Sequence, residues 1–259
     1  MCIRDRTEYE ALSGARYISS YSSSGNWPTG TPGSFTGTAY PSAAANIGLR
    51  LLGGARGLTF LTCGDSTFQG SYTTISQNCF GRQAAALLST PATPVSFVNC
   101  GYSGQQHAAI YTNALNHAAV YKPDVIVFET LSPNDLFTQA SSDASLGRTV
   151  QFLDYCYSNT IVPILTTALP WNGVSGAQES VRIAHNAKVR AFAASGVLVA
   201  DFDAAMTDGG SPAKLRSAFT VYPSNNIDAA TAHPGDAGHA QMAATLAPAL
   251  SKILAVRPY

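Results

Sequence analysis

The chain has 259 residues, enough to bury a full core as one domain with room left for an appendage. Fifteen acidic and fifteen basic side chains cancel, with no basic stripe and no acidic run, which argues against a nucleic-acid partner and against a solvating tail. No apolar run reaches bilayer length, so no membrane span is expected.

The opening "MCIRDRTEYE" lacks an apolar h-region and does not read as a secretory signal. It reads as an assembly remnant and is set aside. The natural start can lie upstream, so a soluble chain is expected while secretion stays open. Residues 1–57 differ in texture from the rest of the chain. "SYSSSGNWPTGTPGSFTGTAYPS" is dense in Gly, Pro, Ser, Thr and aromatics, a punctuation that breaks regular structure. It is read as an irregular arm or small β appendage. Tyr21, Trp27 and Tyr40 either form a sugar-stacking face or pin the arm onto the core.

From Leu58 to residue 259 a second region has a regular rhythm. Apolar, β-branched runs occur at 58–63, 95–100, 124–130, 161–169 and 197–203. Runs apolar on both faces are what parallel strands covered by helices require. Helical stretches separate them at 78–89, 105–120, 139–158 and 178–195. In the third, Leu146, Val150, Leu153 and Tyr157 recur at helical spacing. A last helix starts near Asp236 and sets Met242, Leu246, Leu250 and Ile253 on one face, with Pro248 expected to kink it. The prediction is an α/β fold, a three-layer, doubly wound, five-stranded parallel sheet.

Five Cys include no C-x-x-C pair and no zinc-type spacing. They read as buried thiols, with one disulfide or a reactive thiol as the alternative. No metal site is expected.

In open α/β sheets, sites form beyond the carboxyl ends of the strands. Those positions here carry Gly64-Asp65-Ser66-Thr67, then "NCGYSGQQ" with Gly104, "LSPND" with Asn134 and Asp135, and "LPWNG" with Trp171. "DAATAHPGDAGH", with Asp228, His233 and His239, precedes the last helix. Ester hydrolysis needs a hydroxyl, a base to activate it, a group to orient that base, and neutral donors for the oxyanion, each worth roughly 3 kcal/mol. Ser66 offers the hydroxyl and a backbone N–H. Gly104 offers an unobstructed N–H, Asn134 an amide and His233 a base. Taken alone, Ser66 would be a helix cap or a turn residue. His239 is read as structural. His107, His117 and His185 are read as surface or lightly buried, with His107 a candidate for the pocket edge. Trp171 is either an acyl or sugar platform or a packing residue. Tyr102 and Phe68 are candidates for the pocket wall. No G-x-S-x-G elbow, H-E-x-x-H motif or phosphate loop occurs.

The four segments "GDST", "NCGYSG", "PND" and "HPGDAGH", in this order, resemble those of the SGNH (GDSL-type) hydrolases from about Leu58 to the end. The resemblance implies a flavodoxin-like domain that hydrolyses esters or thioesters of lipids, aryl alcohols or sugars, without metal or organic cofactor. By it, Ser66 is the nucleophile and His233 the base. The oxyanion hole is Ser66 N–H, Gly104 N–H and the Asn134 side chain. Asp65 and Asp135 become hydrogen-bonding partners within their turns. Two positions depart from the pattern. The acid three residues before the His is Ala230 here, and the nearest acid upstream is Asp228. Either Asp228 reaches His233, or a backbone carbonyl orients the ring and the site is a Ser-His dyad. Ser132-Pro133 stands where Gly is common, and Pro133 is expected to stiffen the loop and narrow the pocket, which bears on substrate choice more than on the Asn134 donor.

The expected function is a serine esterase acting through an acyl-Ser66, with a short acyl group, acetyl on carbohydrate, as first expectation. The alternatives are a catalytically silent glycan-binding or structural module, and a thioesterase or lysophospholipase on the same fold. The oligomeric state is not legible.

Overall fold

The computed structural model describes residues 16–17, 57–171, 173–220 and 233–256. The aromatic candidates of the N-terminal arm, together with Asp228, Ala230 and Asn172, lie outside the described residues.

All five expected strands are present: β2 (Leu58–Gly64), β3 (Val95–Gly101), β4 (Val125–Glu129), β5 (Val162–Thr166) and β6 (Leu198–Ala200). A two-residue strand, β1 (Arg16–Tyr17), pairs with Ser96–Phe97 at the sheet edge. Every pairing is parallel, in the order β1-β3-β2-β4-β5-β6. The chain therefore begins β2 near the middle and winds outward in both directions, which creates the crevice that such sheets use as a site.

Strand alternation sorts the core into two halves. Leu58 and Phe60 of β2, Val95 and Phe97 of β3, and Val125 and Val127 of β4 face one way. There they meet α2 (Phe80–Leu88), α6 (Phe202–Met206) and α7 (Asp236–Val256). Their neighbours Leu61, Cys63, Val98, Cys100, Ile126 and Phe128 face the other way, onto α3 (His107–Tyr121), α4 (Gln139–Ser158) and α5 (Gly176–Ala191). That period of two in a run apolar on both faces is why the sequence shows no polar alternation. In α7 the predicted stripe of Met242, Leu246, Leu250 and Ile253 is buried, and the helix continues past Pro248.

The inner face of α4 differs from the one expected. Val150 and Tyr157 are exposed, while Ser142, Ser145, Thr149, Phe152 and Cys156 turn inward. The reason is a buried polar seam. His185 Nδ1 lies 3.0 Å from Ser142 Oγ and its Nε2 lies 3.1 Å from Thr130 Oγ1. His107 and His185 are thus fully buried rather than superficial, and His117 is half-buried. Cys63, Cys79, Cys100 and Cys156 are buried free thiols.

Candidate active site

The site grows from the end of β2. Gly64 is the last strand residue, and a Cβ there would fall 2.3 Å from the Phe68 ring and 2.8 Å from Glu129 Oε2. Only glycine leaves room for the Phe68 ring and the Glu129 carboxyl to come this close. The next residue, Asp65, caps the four-residue helix α1 (Ser66–Gln69), its Oδ1 accepting from Thr67 N at 2.8 Å. Ser66 is therefore the first helical residue, 7% exposed, its hydroxyl at the rim and its N–H at a helix start. Two positions on, a helix has turned by about 200°. Phe68 accordingly points away from Ser66 into the core, 2% exposed, against Phe80 and Phe202. It packs beneath the nucleophile turn and, contrary to expectation, does not wall the pocket.

His233 comes from the opposite end of the chain. Its Nε2 lies 2.8 Å from Ser66 Oγ across 167 positions of sequence. In the tautomer protonated on Nδ1, Nε2 accepts the serine proton. Asp236, in the first turn of α7, accepts from Thr74 N at 2.9 Å and from Thr74 Oγ1 at 2.5 Å. Partial burial would raise its pKa, but these bonds outweigh it and hold the carboxyl below its ordinary value. The loop after α1 and the residues bearing His233 are thereby fastened together. Tyr72, in that same loop, lies with its ring centroid 4.6 Å from that of His233.

The donor side is built by the loops after β3 and β4. Gly104 has φ +75, a conformation that L side chains rarely adopt, and a Cβ on it would meet nothing within 4 Å. Backbone conformation, not crowding, selects glycine, and open space lies before it. Asn134 Nδ2 is held by Gln105 O at 3.0 Å, Ser132 Oγ at 3.0 Å and Asp65 Oδ2 at 3.3 Å. Gln106 Nε2 donates to Asn134 O at 3.2 Å, and Asp135 Oδ2 accepts from His107 N at 3.0 Å. Asp135 thus bonds across to α3 rather than only within its own turn.

Beneath this lies a pair of buried carboxyls. Glu129 Oε2 accepts from Asp65 N at 2.7 Å. Burial, then the neighbouring Asp65 charge, push Glu129 well above the carboxylate range. Burial also raises Asp65, opposed by the bonds from Thr67 N and Ser132 Oγ. Ser132, where the family pattern favours Gly, has its hydroxyl 2.9 Å from Asp65 Oδ2 and 3.0 Å from Gln105 O, with one proton to share between these two acceptors. It ties the nucleophile turn to both donor loops.

The sequence reading missed Glu129, Ser132, Asp236 and Tyr72 as parts of this constellation. Glu129 carried a signal, being a lone acid at the end of "DVIVFE". Ser132 was marked only as a departure from the pattern and Asp236 only as the start of a helix, while Tyr72 sits in a polar loop where nothing marks it.

Two remaining candidates are placed more loosely. Tyr102 is half-buried, its hydroxyl 2.8 Å from His117 Nε2 and its ring stacked on His117. Trp171 packs edge-on against Phe137, beside Leu131, Ala168 and Val174. His239 is fully buried, stacked on Phe80 and accepting from Phe80 N at 3.3 Å, as its structural reading expected. Among the described residues, no three His, Cys, Asp or Glu side chains group as a metal site, and no helix is long and apolar enough to cross a membrane.

Chemically, the arrangement sets a hydroxyl at a helix start against an imidazole, with an open Gly and an anchored amide in the adjoining loops. Comparison with known proteins gives the family and the fold. The model of the GDSL-like lipase/acylhydrolase family matches residues 62–241. No curated protein sequence matches the chain. A GDSL-like lipase from Bacteroides thetaiotaomicron superimposes with a TM-score of 0.55 at 19% identity, over 76% of this chain and 89% of that one. A family 3 carbohydrate esterase from Clostridium thermocellum gives 0.56 at 16%, over 77% and 98%. A two-domain esterase active on acetylated mannans gives 0.52 at 20%, over 79% of this chain and 51% of that one.

Proposed function

The chain belongs to the GDSL-like lipase/acylhydrolase family, and from that membership we propose that it is a serine esterase that removes short acyl groups, acetyl first among them, from carbohydrate. The observation that carries the reading is the 2.8 Å approach of Ser66 Oγ to His233 Nε2 at the sheet rim. A hydroxyl there is activated only if a base takes its proton as it attacks.

In this reading Ser66 Oγ attacks the ester carbonyl while His233 accepts its proton. The tetrahedral oxyanion is stabilised by Ser66 N–H, Gly104 N–H and Asn134 Nδ2. His233 then protonates the departing alcohol, which leaves an acyl-Ser66. A water deprotonated by His233 releases the acid. No step calls on a cofactor. Orientation of His233 falls to Asp228 or to a backbone carbonyl, both proposals about residues outside those described. The carbohydrate assignment draws support from the two carbohydrate-active esterases among the structural neighbours and from the aromatic Tyr72 beside the base.

The test is p-nitrophenyl acetate hydrolysis by wild type, Ser66→Ala and Asp228→Ala, with fluorophosphonate labelling of each. Wild type is expected to turn over and label, and Ser66→Ala to do neither. A large loss in Asp228→Ala identifies the triad acid; near-normal turnover identifies a dyad. A folded wild type that neither labels nor hydrolyses a wider ester panel favours a silent binding module. Faster cleavage of long-chain than of acetyl esters overturns the short-acyl assignment.

A further inference from the structure

Tyr72 occupies a position that folding alone disfavours. Its φ is +68, in the left-handed region, and the residue is 44% exposed. A large aromatic residue held in that conformation marks a position where something other than local backbone preference is being met. One face of the ring is taken up by His233, with centroids 4.6 Å apart and planes 36° apart. The loop that carries it is fixed at both flanks. Ser71 N donates to Ser66 O at 3.0 Å, and Thr74 is bonded to Asp236.

The direction of the reaction gives this contact a meaning. This step rests on the esterase reading above. The acyl oxygen must face Gly104 and Asn134. The alcohol oxygen must come within hydrogen-bond reach of His233 Nε2, because that atom protonates it as it leaves. Whatever the alcohol is attached to then lies beside the residue that packs on His233, which is Tyr72. Around it runs Ser71-Tyr72-Thr73-Thr74-Ile75-Ser76-Gln77-Asn78, a segment with no charge of its own in which every residue but Tyr72 and Ile75 carries a hydroxyl or an amide. An open aromatic face among neutral hydrogen-bonding groups suits a pyranose, whose C–H face stacks on a ring while its hydroxyls bond around it.

We propose that Tyr72 is the leaving-group platform: the sugar ring that bears the ester lies against it, and it sets preference for the alcohol rather than for the acyl group. The test compares acetates that differ only in the alcohol: an acetylated methyl pyranoside, p-nitrophenyl acetate and ethyl acetate. The enzymes are wild type, Tyr72→Phe and Tyr72→Gly. The readout is kcat/KM for each ring-bearing acetate divided by that for ethyl acetate. Tyr72→Gly is expected to lower the sugar-acetate ratio about tenfold, chiefly through KM, and Tyr72→Phe to restore it. Because glycine suits φ +68, the Tm of Tyr72→Gly is expected to hold or rise, so that a weaker grip on the sugar is told apart from damage to the fold.

A parallel fall on all three acetates overturns the proposal and makes Tyr72 a residue that only positions His233. No fall on any of them, or a fall on the aryl acetate without the sugar acetate, overturns it as well. A wild type inert on all three and unlabelled by a fluorophosphonate fails at the esterase reading itself. That result is distinct from an active wild type whose ratios ignore Tyr72.

Discussion

Asn134 shows how a single side chain is made ready. Its Nδ2 is shared among Gln105 O, Ser132 Oγ and Asp65 Oδ2, so the amide is oriented before any substrate arrives. Such preorganisation is what makes a neutral donor effective on a developing oxyanion. Asn134→Ala is expected to lower kcat on p-nitrophenyl acetate about 100-fold with little change in KM, read by steady-state kinetics. Ser66, Gly104 and Asn134 follow strand ends and His233 precedes the last helix, and it was the resemblance of their four segments, taken in order, that singled them out. Phe68 was placed on the wrong side of its turn, and Tyr72 was not singled out at all. Phe68 follows Ser66 so closely that only the turn of α1 shows it faces inward. Tyr72 acquires its role through contact with His233, far along the chain, which local pattern cannot display.

Between elements, the telling joint is the one that fastens the α1–α2 loop to α7. Thr74 and Asp236 hold the two together three residues beyond His233. Asp236→Ala is expected to lower kcat several-fold while costing about 1 kcal/mol of stability, measured by parallel kinetics and urea unfolding. The elements themselves were largely legible, since buried parallel strands and the Met242–Ile253 stripe follow directly from periodicity. Where the reading slipped was α4. Its inner face is Ser- and Thr-rich because it faces the His185–Thr130 seam, and hydrophobic spacing is blind to a polar interior. Capping marks its start plainly: Thr138 and Ser141 bond reciprocally, and Ser175 and Gln178 do the same for α5.

At the scale of the whole molecule, the buried histidines set the response to acid. Burial lowers His107 to about 3, and His185 and His239 to about 4. The unfolded chain protonates each near 6.5, so between pH 6.5 and 4 it binds more protons than the fold does. This part of the stability is complete above pH 6.5 and is lost as pH falls, by about 2 kcal/mol per histidine at pH 5. Glu129, raised well above the carboxylate range, acts in the opposite sense and costs stability as pH rises above 4.5. Urea midpoints from pH 8 to 5 are expected to fall on the acid side. His107→Leu should flatten that slope by one proton, since neither His107 ring nitrogen has a hydrogen-bond partner among the described residues. The 167 positions between Ser66 and His233 carry a further consequence, for synthesis. Ser66 leaves the ribosome 167 residues before His233, after the strands between them have had time to pair. A nascent chain stalled before α7 would hold a formed turn around Ser66 and no means of activating it. The Ser66–His233 pair is therefore assembled only once the segment that leads into α7 has joined the sheet.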